Sequence, residues 1–289
     1  MVKVIDCFGK KSPVFSFEFF LPKTPRGMKG FKETVRELKQ LDPSFVTLTY
    51  GAGGSARDRT IETAGMIQNE IGLTTVAHLT GIAHSRQEID ALLKQIRDRN
   101  IENIMALRGD APEDGTVLPI EKREYRYASD LIRHIRQFGG FCVGVAGYPE
   151  KHPEARTLEE DLGHLKEKVE AGSDFITTQL FFENGPYFQF VEKVRQLGIT
   201  LPVLPGLMPV TNYGQLKKFA GMCGAVIPER MTRDLEPRQN DPEFVTRFGI
   251  EWTYRQAREL LEQGAPGIHF YTLNKSRSTA VILSRLQKL

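Results

Sequence analysis

Residues 14–20 read Val-Phe-Ser-Phe-Glu-Phe-Phe, and residues 45–51 read Phe-Val-Thr-Leu-Thr-Tyr-Gly. Both are short runs of β-branched and aromatic residues, apolar along nearly their whole length. A strand reads this way when both of its faces are covered, as in a parallel sheet. Six further runs of the same kind follow: Thr74–Thr80, Asn103–Asp110, Cys142–Pro149, Phe175–Phe182, Pro202–Pro209 and Gly267–Asn274. Between them lie amphipathic stretches such as Met28–Leu41 and Gln87–Arg99. Ser85 with Glu88, and Thr157 with Glu160, read as capping boxes. Gly72, Gly139, Gly172, Gly198 and Gly264 stand where helices should end before the next strand. Strand starts recur about every 30 residues through the first four units, the size of a βα unit. Eight such units predict an α/β chain folded as a single (β/α)8 TIM barrel, with a doubly wound sheet as its rival. No Ser/Gly-rich linker divides the chain, so residues 1–289 read as one domain. Two segments are oversized. Ala111–Lys122 follows the fourth strand, and Thr211–Pro266 must hold an extra helical segment before the eighth; long segments after barrel strands are usually functional.

Composition narrows the class. Hydrophobic residues make up 40% of the chain and glycine 26 of 289 residues, which is ordinary globular usage and excludes whole-chain disorder, collagen and coiled coil. No run approaches the ~18 uninterrupted apolar residues of a membrane-spanning helix, and the N-terminus lacks the apolar core of a secretory signal. Cys7, Cys142 and Cys223 are odd in number and lack metal-ligand spacing, which argues against a disulfide scaffold and a zinc ribbon and makes a reducing cytoplasm the expected location. Net charge is +3, with acids interleaved among the bases as in Arg57-Asp58-Arg59. That pattern is a solvated surface, so no nucleic-acid partner and no membrane are expected.

In a barrel the active site forms at the C-terminal ends of the strands. Read in order, those ends carry Glu18, Thr49 and Tyr50, His78, Arg108 and Asp110, Tyr148, Gln179 and Asn274. Glu18 is the sharpest of them. A carboxylate inside an aromatic run is costly to ionise, so its pKa is expected to rise, as a general acid requires; the alternative is a structural ion pair with an arginine. Arg108-Gly109-Asp110 reads either as a plain turn or as an anion-binding arginine beside a pocket carboxylate. Gln179 and His78 are open between core and site roles. Residues 51–56, Gly-Ala-Gly-Gly-Ser-Ala, match a dinucleotide fingerprint, but the next strand ends without the acid that would hold a ribose. They read as a βα turn that lets a ligand approach the backbone. No strand carries the lysine of a Schiff-base aldolase. Strand one lacks the paired histidines of a metal hydrolase. A Glu18/His78/Asp110 metal site stays open.

Nine segments then make a resemblance. FEFF (17–20), LTYGAGGSARDRT (48–60), HLTG (78–81), ALRGD (106–110), YASDL (127–131), YPEKHPEA (148–155), TTQLFFE (177–183), LPGLMPV (204–210) and HFYTLN (269–274) occur in one order along the chain. In that order the sequence resembles the methylenetetrahydrofolate reductase family. The resemblance implies a barrel carrying non-covalent FAD, reduced by NADH or NADPH. The reduced flavin converts 5,10-methylenetetrahydrofolate to 5-methyltetrahydrofolate by hydride transfer through flavin N5, in ping-pong order. On this resemblance Glu18 is the general acid that protonates folate N10 and opens the ring to a 5-iminium cation. Asp110 faces the folate and tunes the flavin. Gln179, Gln215 and Lys275 hold the folate. FAD contacts fall on Tyr50, Ala52, His78, Arg108, Gly109, Asp110, Ala128, Tyr148, His152, Ala155, Asp161, His164 and Lys168. Thr49 and Phe219 meet the nicotinamide cofactor, although Phe219 also reads as plain helix core.

The match has departures. Lys275 stands where a bacterial member of the family is expected to carry Arg, and loses its bidentate fork. His164 stands where Asn is expected, and Phe20-Leu21-Pro22 replaces a Phe-Pro-Pro run. The chain ends soon after the eighth unit, so the resemblance is to the short bacterial form. It implies no C-terminal regulatory domain and no feedback by S-adenosylmethionine. Electron supply by a partner flavoprotein and a homo-oligomeric state both stay open.

Overall fold

The computed structural model describes residues 2–10, 13–22, 24–50, 57–110 and 119–288. Eight parallel strands close into a barrel in chain order: β1 (Val14–Phe19), β2 (Phe45–Leu48), β3 (Thr75–Thr80), β4 (Asn103–Leu107), β5 (Cys142–Gly147), β6 (Phe175–Leu180), β7 (Val203–Leu207) and β8 (Gly267–Tyr271). Each lies inside the run expected of it; β3 ends where its run ends, at Thr80, and the other seven stop one to three residues sooner. Among the described residues, ten α-helices accompany the strands: α1 (Pro25–Lys39), α2 (Arg57–Met66), α3 (Arg86–Asp98), α4 (Ala128–Phe138), α5 (Leu158–Glu170), α6 (Asn184–Gln196), α7 (Tyr213–Cys223), α8 (Glu229–Leu235), α9 (Pro242–Glu262) and α10 (Arg277–Leu286). No described helix is long and apolar enough to cross a membrane.

Local chemistry places the helix ends. The Ser85 hydroxyl accepts from Glu88 N while the Glu88 carboxylate accepts from Ser85 N, a complete capping box. At Thr157 only half of the expected box forms. Its hydroxyl accepts from Glu160 N, but the Glu160 carboxylate turns to Arg156 N at 2.6 Å. The five expected helix-ending glycines all have positive φ, between 76° and 112°, a conformation that costs glycine least.

The N-terminal end of the barrel is plugged. A short turn at Val4–Cys7 packs Val4 and Cys7 against Val14, Phe45, Val76, Met105, Cys142, Phe175 and Leu204. Val4 N donates to Asn103 Oδ1 at 2.8 Å, tying the plug to β4. Between β7 and β8 the chain inserts α7, α8 and α9, as the oversized segment required. They pack in a second apolar cluster with Leu180 and Phe182 at the end of β6 and Met208 and Val210 after β7. That cluster seats α7 beside the mouth. The β8–β1 seam is pinned by Asn274, whose Oδ1 accepts from Phe20 N at 2.9 Å and whose Nδ2 donates to Phe20 O at 2.8 Å. Asn274, expected among the mouth's polar groups, is therefore a backbone clamp.

Candidate active site

Strand register builds the centre of the site. Side chains two apart on a strand share a face, so Ser16 and Glu18 of β1 both point into the barrel. Glu18 stands opposite Thr47 of β2 and Tyr271 of β8, and Ser16 opposite His269. The Thr47 hydroxyl donates to Glu18 Oε2 at 3.2 Å. His269 Nε2 lies 3.4 Å and His78 Nε2 3.5 Å from the same oxygen. Among the described residues, the buried carboxylate thus meets two imidazoles and no arginine, so the structural ion pair considered above is not seen there.

The expected rise in the Glu18 pKa does not occur. Burial pushes it up, but the hydrogen bond from His269, the nearby His78 and His269 rings and the Thr47 hydroxyl outweigh that push and hold the carboxyl below its ordinary value. The sequence reading counted only the desolvating phenylalanines, because the imidazoles come from strands 60 and 251 residues away. His78, in turn, is lowered by burial, against the pull of Glu18. Its Nε2 is buried and makes no hydrogen bond, as is Thr177 Oγ1 on the inner face of β6. Buried polar atoms without partners are uncommon, and here they mark where a ligand or water would be met.

A cleft of about 300 Å³ runs outward from the ends of β4 and β5 between α4 and α5. Arg108, Ala128, Tyr148, His152, Ala155, Asp161, His164 and Lys168, all expected FAD contacts, line it. Buried Asp161 accepts from His152 N at 3.1 Å and orders that loop. Lys168 Nζ donates to Ala146 O at 2.6 Å, and burial lowers its pKa to about 8 against the pull of Asp161. The rings of Tyr127 and His164 stack at 5.8 Å on the rim, so His164 is an aromatic wall where an amide was expected. The Arg108 guanidinium is engaged by Glu154 in a bidentate pair at 2.5 and 2.7 Å. An anionic ligand would have to displace that exposed carboxylate.

The remaining residues divide. Tyr50 is buried with its hydroxyl 3.3 Å from His84 Nε2, and Thr49 N donates to Phe19 O at the mouth. Gly109 adopts φ 89°, and a Cβ there would meet Ile82 and Thr80, so the Arg108-Gly109-Asp110 turn needs glycine while presenting its two charges. Asp110 is exposed at the rim, close enough to raise the pKa of Cys223 on α7 after burial has raised it. Gln179 turns its carbonyl back to Leu180 N at 2.9 Å. Phe219 is half-buried on α7 and packs on the second cluster, Gln215 is exposed on the same helix, and Lys275 Nζ reaches Thr211 Oγ1 at 3.1 Å across the mouth. Ala52 and the glycine run lie outside the described residues, as does most of Ala111–Lys122. Among the described residues, no three His, Cys, Asp or Glu side chains are grouped to hold a metal ion, so the Glu18/His78/Asp110 set is not assembled. Ser16, Thr47 and His269 were not singled out from sequence, although His269 lies in HFYTLN.

Fold and site together define a (β/α)8 barrel with a buried acid–imidazole centre and a cleft of mixed charge at the ends of β4 and β5. Comparison with known proteins makes the class specific. The family model for methylenetetrahydrofolate reductase matches residues 3–287. The 5,10-methylenetetrahydrofolate reductase of Pectobacterium carotovorum is 36% identical over 271 residues, covering 94% of this chain and 89% of that protein. The methylenetetrahydrofolate reductase (NADH) 1 of Zea mays is 38% identical over 98% of this chain but only 50% of its own length. The chain thus spans about half the length of such plant relatives. A Clostridium thermocellum protein that binds two copies of 5-methyl-5,6,7,8-tetrahydrofolic acid superposes with a TM-score of 0.71 at 14% identity, covering 99% of this chain and 98% of that one. That likeness is one of fold. The chain belongs to the methylenetetrahydrofolate reductase family.

Proposed function

We propose that the chain reduces 5,10-methylenetetrahydrofolate to 5-methyltetrahydrofolate, using a non-covalent FAD and either NADH or NADPH. The observation that carries this reading is the Glu18 carboxyl, buried toward the C-terminal end of β1 and anchored through Oε2. The residues present fit the flavin nucleotide. Lys168 and Arg108 supply cationic character, the Tyr127–His164 pair a flat wall, and the unpartnered His78 Nε2 a polar contact beside the carboxylate. When bound, FAD would supply two-electron hydride chemistry. Relatives are named for either nicotinamide cofactor, and nothing in the cleft selects between them.

The protein's own part is proton handling and charge. The overall reduction consumes one proton per hydride, and Glu18 is the group that passes it to folate N10 as the five-membered ring opens. Its contacts hold the Glu18 carboxyl below its ordinary pKa, so a proton has to be supplied to it before each transfer. Asp110 at the rim offsets the cation formed on the folate. Gln179, Gln215 and Lys275 lie around the same opening to receive the pterin and its charged tail.

Anaerobic half-reactions test the reading. The purified protein should be yellow, NADH or NADPH should bleach it, and methylenetetrahydrofolate should restore the colour. A flavin that the folate reoxidises but neither nucleotide reduces would assign electron supply to a partner flavoprotein. A protein that takes up no flavin would defeat the proposal.

A further inference from the structure

The Glu18 carboxyl is held from one side. Thr47, His269 and His78 all approach Oε2, and 11% of the side chain stays accessible, which leaves Oε1 to face the mouth. Behind Oε2, His269 and Ser16 are fully buried. Ser16 Oγ lies 2.8 Å from His269 Nδ1. The ring is fixed by stacking on Phe45 at 6.4 Å and by an edge contact with Tyr271 at 5.1 Å. Tyr271 is itself tied down by donating to Thr178 O at 2.7 Å. Between these two partners, one arrangement of the neutral ring satisfies both nitrogens. The Ser16 hydroxyl donates to Nδ1, and Nε2–H donates to the carboxylate. A partner on one ring nitrogen selects the tautomer that acts at the other.

We propose that His269, locked in one tautomer by Ser16, is a positioning residue that holds Glu18 by Oε2 so that Oε1 delivers the proton. The inference rests on Glu18 being the proton donor. In the step, the Oε1–H bond breaks, the substrate nitrogen's lone pair forms the new N–H bond, and the electron pair stays on the carboxylate. The Nε2–H of His269 meets that charge at Oε2 and keeps its own hydrogen. Nothing is oxidised or reduced. The other titratable groups facing Glu18 are poor substitutes. His78 of β3 makes no hydrogen bond to it. Tyr271 of β8 and Cys223 of α7 are both kept neutral by burial, with Glu18 itself adding to the upward push.

The test compares wild type with H269L, H269Q, S16A and E18Q. In cofactor-free protein, the infrared carbonyl band of protonated Glu18, identified by its loss in E18Q, is titrated with pH. In H269L, burial acts with one opposing donor fewer, so the band should persist to a pH higher by about one pH unit or more. H269Q, which returns an amide N–H, should move it most of the way back, and S16A should shift it by a smaller step upward. In flavin-loaded enzyme, H269L should slow reoxidation by folate about tenfold or more while flavin reduction is unchanged. Its alkaline limit should lie at higher pH, because a weaker acid stays protonated longer. A band and limit that stay at the wild-type pH in H269L, or two half-reactions slowed alike, would overturn the proposal. If H269L does not accumulate, S16A decides, and an unmoved band in it is the overturning result. Wild-type reoxidation in E18Q would sink the proton-donor reading itself. Loss in E18Q with no shift in H269L would sink only the role of His269.

Discussion

Two side chains show most directly how environment sets chemistry at the scale of a residue. Burial favours the neutral form of Glu18, yet the His269, His78 and Thr47 contacts win and hold its pKa below the ordinary carboxylate value. Replacing it with Gln removes the proton and keeps the shape. Flavin reduction by the nucleotide should then proceed near the wild-type rate, while folate-driven reoxidation falls by about a hundredfold or more. Stopped-flow traces of the two half-reactions separate these outcomes, and an equal fall in both would make Glu18 structural. Lys168 shows the opposite balance. Burial lowers its pKa to about 8, so the free protein loses this cation as pH rises through that value. A ligand phosphate stabilises the charged form, so affinity for FAD should be level below about pH 8 and decline above it, at most about tenfold per pH unit. K168R, always charged, should bind with no such decline. Fluorescence titrations from pH 6 to 10 decide this, and parallel pH curves for the two proteins would remove Lys168 from the nucleotide site.

At the scale of an element, α9 decides where the mouth's upper wall stands. Its Gly249 lies so close to the loop after β7 that a Cβ would come within 1.8 Å of Val210 O. Backbone cannot yield as a flexible side chain can, so G249A should push α9 outward, at a cost of about 2–3 kcal/mol or a melting temperature lower by roughly 3–5 °C. The same change at Gly163, exposed in α5 with nothing within 4 Å of an added Cβ, should stabilise by about 0.5–1 kcal/mol. Calorimetry of the pair isolates packing from helix propensity. Similar shifts in both would mean that α9 is not pressed on Val210. The two helix starts at Ser85 and Thr157 teach a related lesson. Both have the same Ser/Thr-x-x-Glu pattern, but Glu160 has a second backbone N–H within reach at Arg156 and takes it. A motif specifies which groups compete, and local backbone direction chooses the winner.

Over the whole molecule, the N-terminal end of the barrel is plugged. On the proposed function, both reactants therefore enter at the C-terminal ends of the strands. Each must bring a carbon to the flavin at about 3–3.5 Å for reaction, and two flat rings cannot share that place. Phe219 and Gln179 would serve them in turn. Initial rates at several fixed concentrations of each substrate should give parallel double-reciprocal lines, with inhibition by excess folate. Intersecting lines would require two separate faces and would end the shared-mouth argument.

What the chain alone determined was whatever depends on neighbours in sequence. Eight apolar runs, their spacing, the glycines between them and the insertion before β8 were all legible, because period and turn chemistry are local. Glu18 was legible as an anomaly, a charge where the pattern wants none. The state of that charge was not. His269 reaches it only because the barrel closes β8 against β1, and His78 reaches it across β2, so the balance between desolvation and two imidazoles exists only in that geometry. Asn274 looked like a site group for the same reason. Its neighbours in sequence say that it is polar and at a strand end, but only closure of the β8–β1 seam supplies the Phe20 backbone that it binds.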